Sequence, residues 1–251
     1  MIRNAEQLTA EARNQFAPTG TLRASINYGN PILAQRTPAG ELTGVSVVLA
    51  TELARRLEVP LELVPFDAAG KAFGALSAGK CDIGFLAIDP VRGTAIDYTA
   101  SYVLIEGAFL VRNDSGFFDI VDIDVPGVRI AAGLNTAYDL YLRRELKHAQ
   151  LVYAPLSSEA IELFLDGQAD VAAGILQPLE VASRQHDGLR LAGDRFMSIE
   201  QAMAMPKGRD LAMTYLRQFV EDAKVSGLVR QALDASGQTE AKIAPPRPDH
   251  G

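Results

Sequence analysis

The sequence predicts an α/β protein built from two similar lobes of mostly parallel sheet. Two observations point there directly. Segments of strand and helix period alternate as strand, helix, strand, helix, strand before residue 90, and a second cycle of the same kind begins at "GVRIAAG". "CDIGFLAI" adds a third, being nearly all apolar, as a parallel strand buried on both faces should be. With 251 residues, 48% of them hydrophobic, the chain can bury the core of one large domain or two small ones.

Taken in order, residues from about Ala5 to Phe16 read as a polar helix ended by Pro18 and Gly20. "TLRASINYG" reads as a strand opening into a loop at Tyr28 to Pro31. "GVSVVLATELARRLEV" carries Val45, Val48, Leu49, Leu53 and Leu57 at helical spacing. "PLELVPFD" alternates as a strand, "AGKAFGALSAGK" is a short helix ended by Gly79, and "YVLIEGAFLVR" is a longer strand after "CDIGFLAI". In the second cycle "GVRIAAG", "AQLVYAP" and "ADVAAGI" are strands. They alternate with the helices "NTAYDLYLRREL", with Asn135 or Thr136 as N-cap, and "SSEAIELFLDGQ", with a Ser cap and Gly167 past its end. "LQPLEVASRQH" is helical, "LRLAGDRF" extended, and "EQAMAMPKG" one more strand. Two helices broken near Gly227 follow, then a proline-rich tail with neither period. The expected lobes are 1-111 plus 199-251 and 112-198, joined by paired crossing strands with a hinging cleft between them.

The net charge of -7 and the lack of any Lys/Arg run argue against nucleic acid and against an anionic membrane surface. Cys81 stands alone, so it forms no internal disulfide and no zinc spacing exists. His148, His186 and His250 are scattered, and none is assigned to catalysis or to a metal. No cofactor, metal or catalytic residue is expected. The N-terminal residues lack the apolar stretch of a signal peptide, and no window is long enough to span a bilayer.

In parallel sheets, ligands bind beyond the carboxyl ends of the strands. The loop after Ile88 is such an end. Its Asp89 and Arg92 read equally as a turn staple or as the holder of a ligand, because the planar guanidinium fork suits a carboxylate. "AAGLNTAYD" is a second strand end, where Gly133 permits close backbone approach and the next helix offers N–H groups to an anion. An ordinary capped turn is the alternative there. Glu106, Glu200 and Gln201 are candidates for a cleft floor or for hinge hydrogen bonding. Gln177 and Glu180 follow a further strand end, and Tyr138 either packs its helix or faces the cleft.

The block "GKCDIGFLAIDPVRGTAIDYTASYVLIEGAFLVR" resembles the extracellular solute-binding proteins of family 3, the amino-acid receptors of ABC importers. It follows their order of helix end, strand, "T-x-x-R" loop, "DF(S/T)xPY" and hinge strand. "GELTGVSVVLATELARRL", "VRIAAGLNTAYDLYL" and "AMAMPKGRDLAMTYLRQFVEDAKVSGLVRQAL" resemble further blocks of the family, so the likeness covers nearly the whole chain after residue 20. The resemblance implies a two-lobed periplasmic-binding-protein fold of type 2. It implies that Arg92 takes a ligand carboxylate, that Asn135 and Thr136 stand at the second lobe's helix tip, and that Tyr28 and Asn30 lie in an aromatic-wall loop. Ala87, Asp89, Gly133, Ala137, Tyr138, Gln177 and Glu106 complete the expected ligand-binding set. Three departures stand out. The loop threonine is Asp89, the aromatic loop reads "NYGNPIL", and no carboxylate occurs near Gly174 or Ile175, where the family holds a ligand ammonium. Either Asp89 receives the ammonium or the ligand has none.

The implied function is capture of a small carboxylate, an amino acid or organic acid, by closure of two lobes. A monomer serving an ABC-transporter permease is expected, periplasmic by resemblance, with a cytoplasmic place open. The alternatives are a cyclohexadienyl or arogenate dehydratase on the same scaffold, with Asp89, Glu106 or Glu180 as general acid, and an intracellular small-molecule sensor.

Overall fold

The computed structural model describes residues 9–247. The chain divides into two compact units, one with the residues up to Leu104 and those from Glu200, the other Ile105–Ile199.

Unit 1 opens with α1 (Ala10–Phe16), capped by the Thr9 side chain on the Ala12 N–H. The expected start of this helix at Ala5 lies outside the described residues. Then come β1 (Leu22–Asn27), a two-rung hairpin of β2 (Gln35–Arg36) and β3 (Leu42–Thr43), and α2 (Val45–Leu57). They are followed by β4 (Leu61–Phe66), α3 (Ala69–Ser77) and β5 (Ile83–Ala87). The hairpin has no alternating apolar run to announce it. Helix α2 forms because Val45, Leu49, Leu53 and Leu57 fall on one face and are all buried. Strands β4 and β5 flank β1 in parallel, and β5 is buried along its whole length.

Two long strands run from one unit into the other. The first, β6 (Ile96–Arg112), begins earlier than its apolar stretch suggests, because "IDYTAS" is already extended. The second, β11 (Met197–Pro206), pairs antiparallel with β5 in unit 1.

Between them, unit 2 holds α4 (Ile120–Ile123), β7 (Arg129–Gly133), α5 (Ala137–Glu145), β8 (Gln150–Ala154), α6 (Ser157–Leu165), β9 (Val171–Ile175), α7 (Leu176–Gln185) and β10 (Leu189–Leu191). Strands β8 and β9 flank β7 in parallel, and β9 lies antiparallel to β6. The strand order β8–β7–β9–β6 in unit 2 thus repeats β4–β1–β5–β11 in unit 1. Thr136, not Asn135, caps α5, accepting the Asp139 N–H. No Ser caps α6; the Glu159 carboxylate closes it by accepting the Leu156 N–H at 3.1 Å.

The chain returns to unit 1 with α8 (Asp210–Val225) and α9 (Leu228–Ala235), separated at Gly227. The tail is not free of pattern: β12 (Lys242–Ile243) pairs antiparallel with β6, and buried Lys224 donates to the Pro245 carbonyl at 3.2 Å. The one apolar residue of β12, Ile243, is too little to carry a strand period.

Each unit carries the same clasp at the amino end of its first parallel strand. In unit 1, Arg23 donates from its backbone N–H and from Nε to one oxygen of Asp82, at 3.0 and 2.9 Å, and from its other nitrogen to the second oxygen and to the Gly79 carbonyl. In unit 2, Arg129 makes the same four bonds to Asp170 and the Gly167 carbonyl. Cys81, beside the unit 1 clasp, is a free thiol with no exposed surface, pushed up to about 11 by burial.

Candidate ligand-binding site

In unit 1 the carboxyl ends of β1, β4 and β5 lie side by side. The β1 end is drawn tightly to the β4 end. The Tyr28 N–H donates to the Phe66 carbonyl at 2.9 Å, and a Cβ on Gly29 would stand 2.0 Å from the Asp67 carbonyl oxygen. Only glycine fits that approach. Tyr28 is half-buried with the Arg36 guanidinium 5.7 Å from its ring, and the Asn30 side chain accepts the Ile32 N–H.

At the β5 end, Ala87 is buried and faces Gln201 across the ladder. The next turns are set by Asp89, whose carboxylate accepts the N–H groups of Val91 and Arg92 at 2.9 and 3.1 Å. Arg92 then opens a single 3-10 turn, Arg92–Thr94. Arg92 is 3% exposed, with the guanidinium 5.7 Å from the Phe73 ring. An arginine so deeply buried is uncommon. Tyr98, on β6, lies beside it, and burial pushes its phenol up to about 12 against the partial offset of the Arg92 charge. Exposed Ile88 and Val91 flank this buried cation.

Unit 2 presents the corresponding ends of β7, β8 and β9. Asn135 holds a left-handed backbone at φ 56°. Its N–H donates to Asp139 at 2.6 Å, and Asp139, without exposed side-chain surface, is in turn held by Arg143 Nε at 2.8 Å. A carboxylate thus already accepts the Asn135 N–H, just ahead of the first turn of α5. The Thr136 hydroxyl donates to the Gly133 carbonyl at 2.9 Å, and Ala137 is half-buried at the helix start. The close approach that Gly133 permits is to Ser157, whose Cα would lie 3.0 Å from an added Cβ. Tyr138 turns into the interior of its unit, donating to Ser157 Oγ at 3.0 Å, and burial raises its pKa.

Gly107 faces Ile175 in the β6–β9 ladder, so Glu106 and Gln177 sit at the same end of the sheet. Glu106 pairs with Arg195 at 3.4 Å. The Gln177 side-chain oxygen is buried without a hydrogen-bond partner among the described residues. Among those residues no group of three His, Cys, Asp or Glu side chains is placed to hold a metal.

The model of bacterial extracellular solute-binding proteins, family 3, matches residues 22–235. The chain belongs to that family. This solute-binding protein is 23% identical over 222 residues to the L-cystine-binding protein TcyJ of Escherichia coli (strain K12), covering 86% of the chain and 82% of TcyJ. Its fold matches the amino acid ABC transporter substrate-binding protein AbpA of Streptococcus pneumoniae, bound to L-arginine, with TM-score 0.76, 17% identity, and coverage of 90% and 98%. It also matches the ancestral amino acid-binding protein AncCDT-1, a precursor of cyclohexadienyl dehydratase, with TM-score 0.73, 21% identity, and coverage of 89% and 97%. The fold is thus the two-lobed α/β fold of periplasmic binding proteins, and the relatives include receptors for amino acids. No described helix of this solute-binding protein is long and apolar enough to cross a membrane.

Unit 1 gathers Tyr28, Asn30, Ala87, Asp89 and Arg92 at its strand ends, and unit 2 gathers Gly133, Asn135, Thr136, Ala137, Gln177 and Glu106 at its own. Phe73 and Tyr98 beside Arg92, and the Asp139–Arg143 pair behind Asn135, had no place in the sequence-based set. The i,i+4 spacing of Asp139 and Arg143 carried a readable signal. Phe73 and Tyr98 carried none beyond core packing.

Proposed function

We propose that this solute-binding protein captures a small carboxylate, an amino acid or a related organic acid, and delivers it as a monomer to an ABC importer in the periplasm. Arg92 is the group that takes the carboxylate. The observation that carries this reading is a nearly fully buried guanidinium at the carboxyl end of β5, packed on Phe73, its turn fixed by Asp89. A positioned and dehydrated arginine offers two parallel donors to a carboxylate, and a hydrogen bond to a charged group is worth about 1.5–3 kcal/mol net. In unit 2, the Gln177 oxygen, buried without a partner among the described residues, is suited to an N–H or O–H donor.

The Asp89 carboxylate is engaged by two backbone N–H groups, which argues against its transfer to a ligand ammonium. The same engagement speaks against dehydratase chemistry. Asp89 serves its turn, Glu106 pairs with Arg195, and Glu180 pairs with Arg184, so each carboxyl suited to be a general acid has an internal partner. Binding without turnover is the reading these pairings favour.

Calorimetric titration with the twenty standard L-amino acids, L-cystine, lactate and succinate tests the proposal. A binder is expected, and Arg92→Ala weakens it at least tenfold. An unchanged dissociation constant removes Arg92 from the site.

A further inference from the structure

The Tyr98 hydroxyl is buried, with no acceptor in hydrogen-bond geometry among the described residues. Its ring edge stands 4.0 Å from where a Cβ on Gly93 would lie, directly beside the Arg92 backbone. Tyr98 and Phe73, both partly buried, pack against the same apolar cluster of Ala72, Leu76, Cys81, Leu86 and Ile96. Arg92 reaches 5.7 Å from the Phe73 ring and is closed to water. The phenol lies near both the Arg92 guanidinium and the Asp89 backbone, and both influence its ionisation.

Both neighbours are donors, so the phenol proton is left without an acceptor among the described residues, and a buried O–H in that state is costly. We propose that Tyr98 is a second donor to the anion that Arg92 receives, so that the acid is held by a guanidinium and a phenol from neighbouring elements of unit 1. The inference rests on the reading of Arg92 given above. It assigns to Tyr98 a task separate from packing: the phenol gains its missing acceptor only when the acid arrives. In a site closed to water, that bond adds to the arginine pair rather than competing with hydration.

Tyr98→Phe separates the two roles because it keeps the ring and removes only the hydroxyl. The same panel of L-amino acids, L-cystine, lactate and succinate is first screened by thermal shift, and the strongest binder is titrated into wild type, Tyr98→Phe and Arg92→Ala. The expected result is a dissociation constant raised at least fivefold in Tyr98→Phe, while the ligand-free melting temperature stays level or rises, since an unpaired buried hydroxyl has been removed. An unchanged dissociation constant overturns the assignment. So does weaker binding accompanied by a lower ligand-free melting temperature, which marks the hydroxyl as a structural group. If Arg92→Ala loses affinity and Tyr98→Phe does not, the carboxylate site stands and this inference falls. A panel without a binder overturns both.

Discussion

The Arg23–Asp82 and Arg129–Asp170 clasps share every bond from arginine to carboxylate and to the helix-end carbonyl, yet their surroundings differ. Asp82 has no exposed side-chain surface and also receives Arg209 at 3.1 Å, while the Asp170 side chain is 36% exposed. Arg209 further donates to the Gln15 carbonyl, so the unit 1 clasp ties α1 and the start of α8 to the sheet. Unit 2 closes its sheet with the same motif at the surface. The difference teaches that an ion pair's geometry does not set its worth. Removing one partner of a buried pair costs several kcal/mol, whereas exposed pairs contribute about 0–1 kcal/mol.

Asp82→Ala against Asp170→Ala is the sharpest way to break the comparison. The first strands two partly buried arginines and is expected to destabilise by about 3 kcal/mol or more. The second is expected to cost no more than about 1 kcal/mol. Urea unfolding of both variants measures the difference, and equal losses would show that burial does not separate the two clasps.

The opposite ends of the same strands invite a second contrast. In both units the carboxyl-end region of the first strand is pressed against the segment that follows the second, at Gly29 on Asp67 and at Gly133 on Ser157, the first residue of α6. An added Cβ would meet a rigid carbonyl oxygen at 2.0 Å in the first case, and Ser157 with the Tyr138 hydroxyl at 3.0 Å in the second. Gly29→Ala must move backbone, and overpacking of this kind costs about 1–3 kcal/mol. Gly133→Ala is expected to cost less, because its contacts at 3.0 Å need a shift of only a few tenths of an ångström. Melting temperatures of the two variants rank them. Gly29→Ala is also expected to displace Tyr28 and Asn30, and on the proposed site solute affinity falls with stability there.

Much of this duplication was legible in the sequence, because alternation and periodicity are local properties. "CDIGFLAI" and "ADVAAGI" declare buried strands by composition alone, and Gly79, Gly167 and Gly227 mark helix ends through backbone freedom. What escaped was set by contacts between distant residues. The pairing of Lys242–Ile243 with β6 depends on Lys224 and the strand edge waiting for it, not on any tail periodicity. The burial of Arg92 could not be read from "DPVR", since it requires Phe73 from α3 and Tyr98 from β6. The capture of the Asn135 N–H by Asp139 was nearer to hand, Asp139 being one helical turn from Arg143, but which N–H a carboxylate takes depends on side-chain direction.

The smallest effect distinguishes the units by acid. In unit 2, hydrogen bonding from Arg129 holds the Asp170 carboxyl below its ordinary value of 3.8. In unit 1, Arg55 and then Arg56 hold the Glu52 carboxyl down from 4.5 to about 2, against the opposing effect of burial. A carboxyl that binds its proton less readily when folded contributes stability that is complete above its unfolded pKa and disappears as pH falls through the folded one. The Glu52 contribution is therefore lost between about pH 4.5 and about 2, and that of Asp170 begins to fade only below 3.8. Glu52→Gln is expected to flatten the acid side of the stability curve from 4.5 downward, and Asp170→Asn to alter only its lowest part. Half-exposed Asp170 is also the more readily screened, so added salt should erase its effect first. Unfolding free energies measured from pH 5 to 2 at two salt concentrations check the order, and a steeper acid loss in Glu52→Gln than in wild type would reverse the assignment.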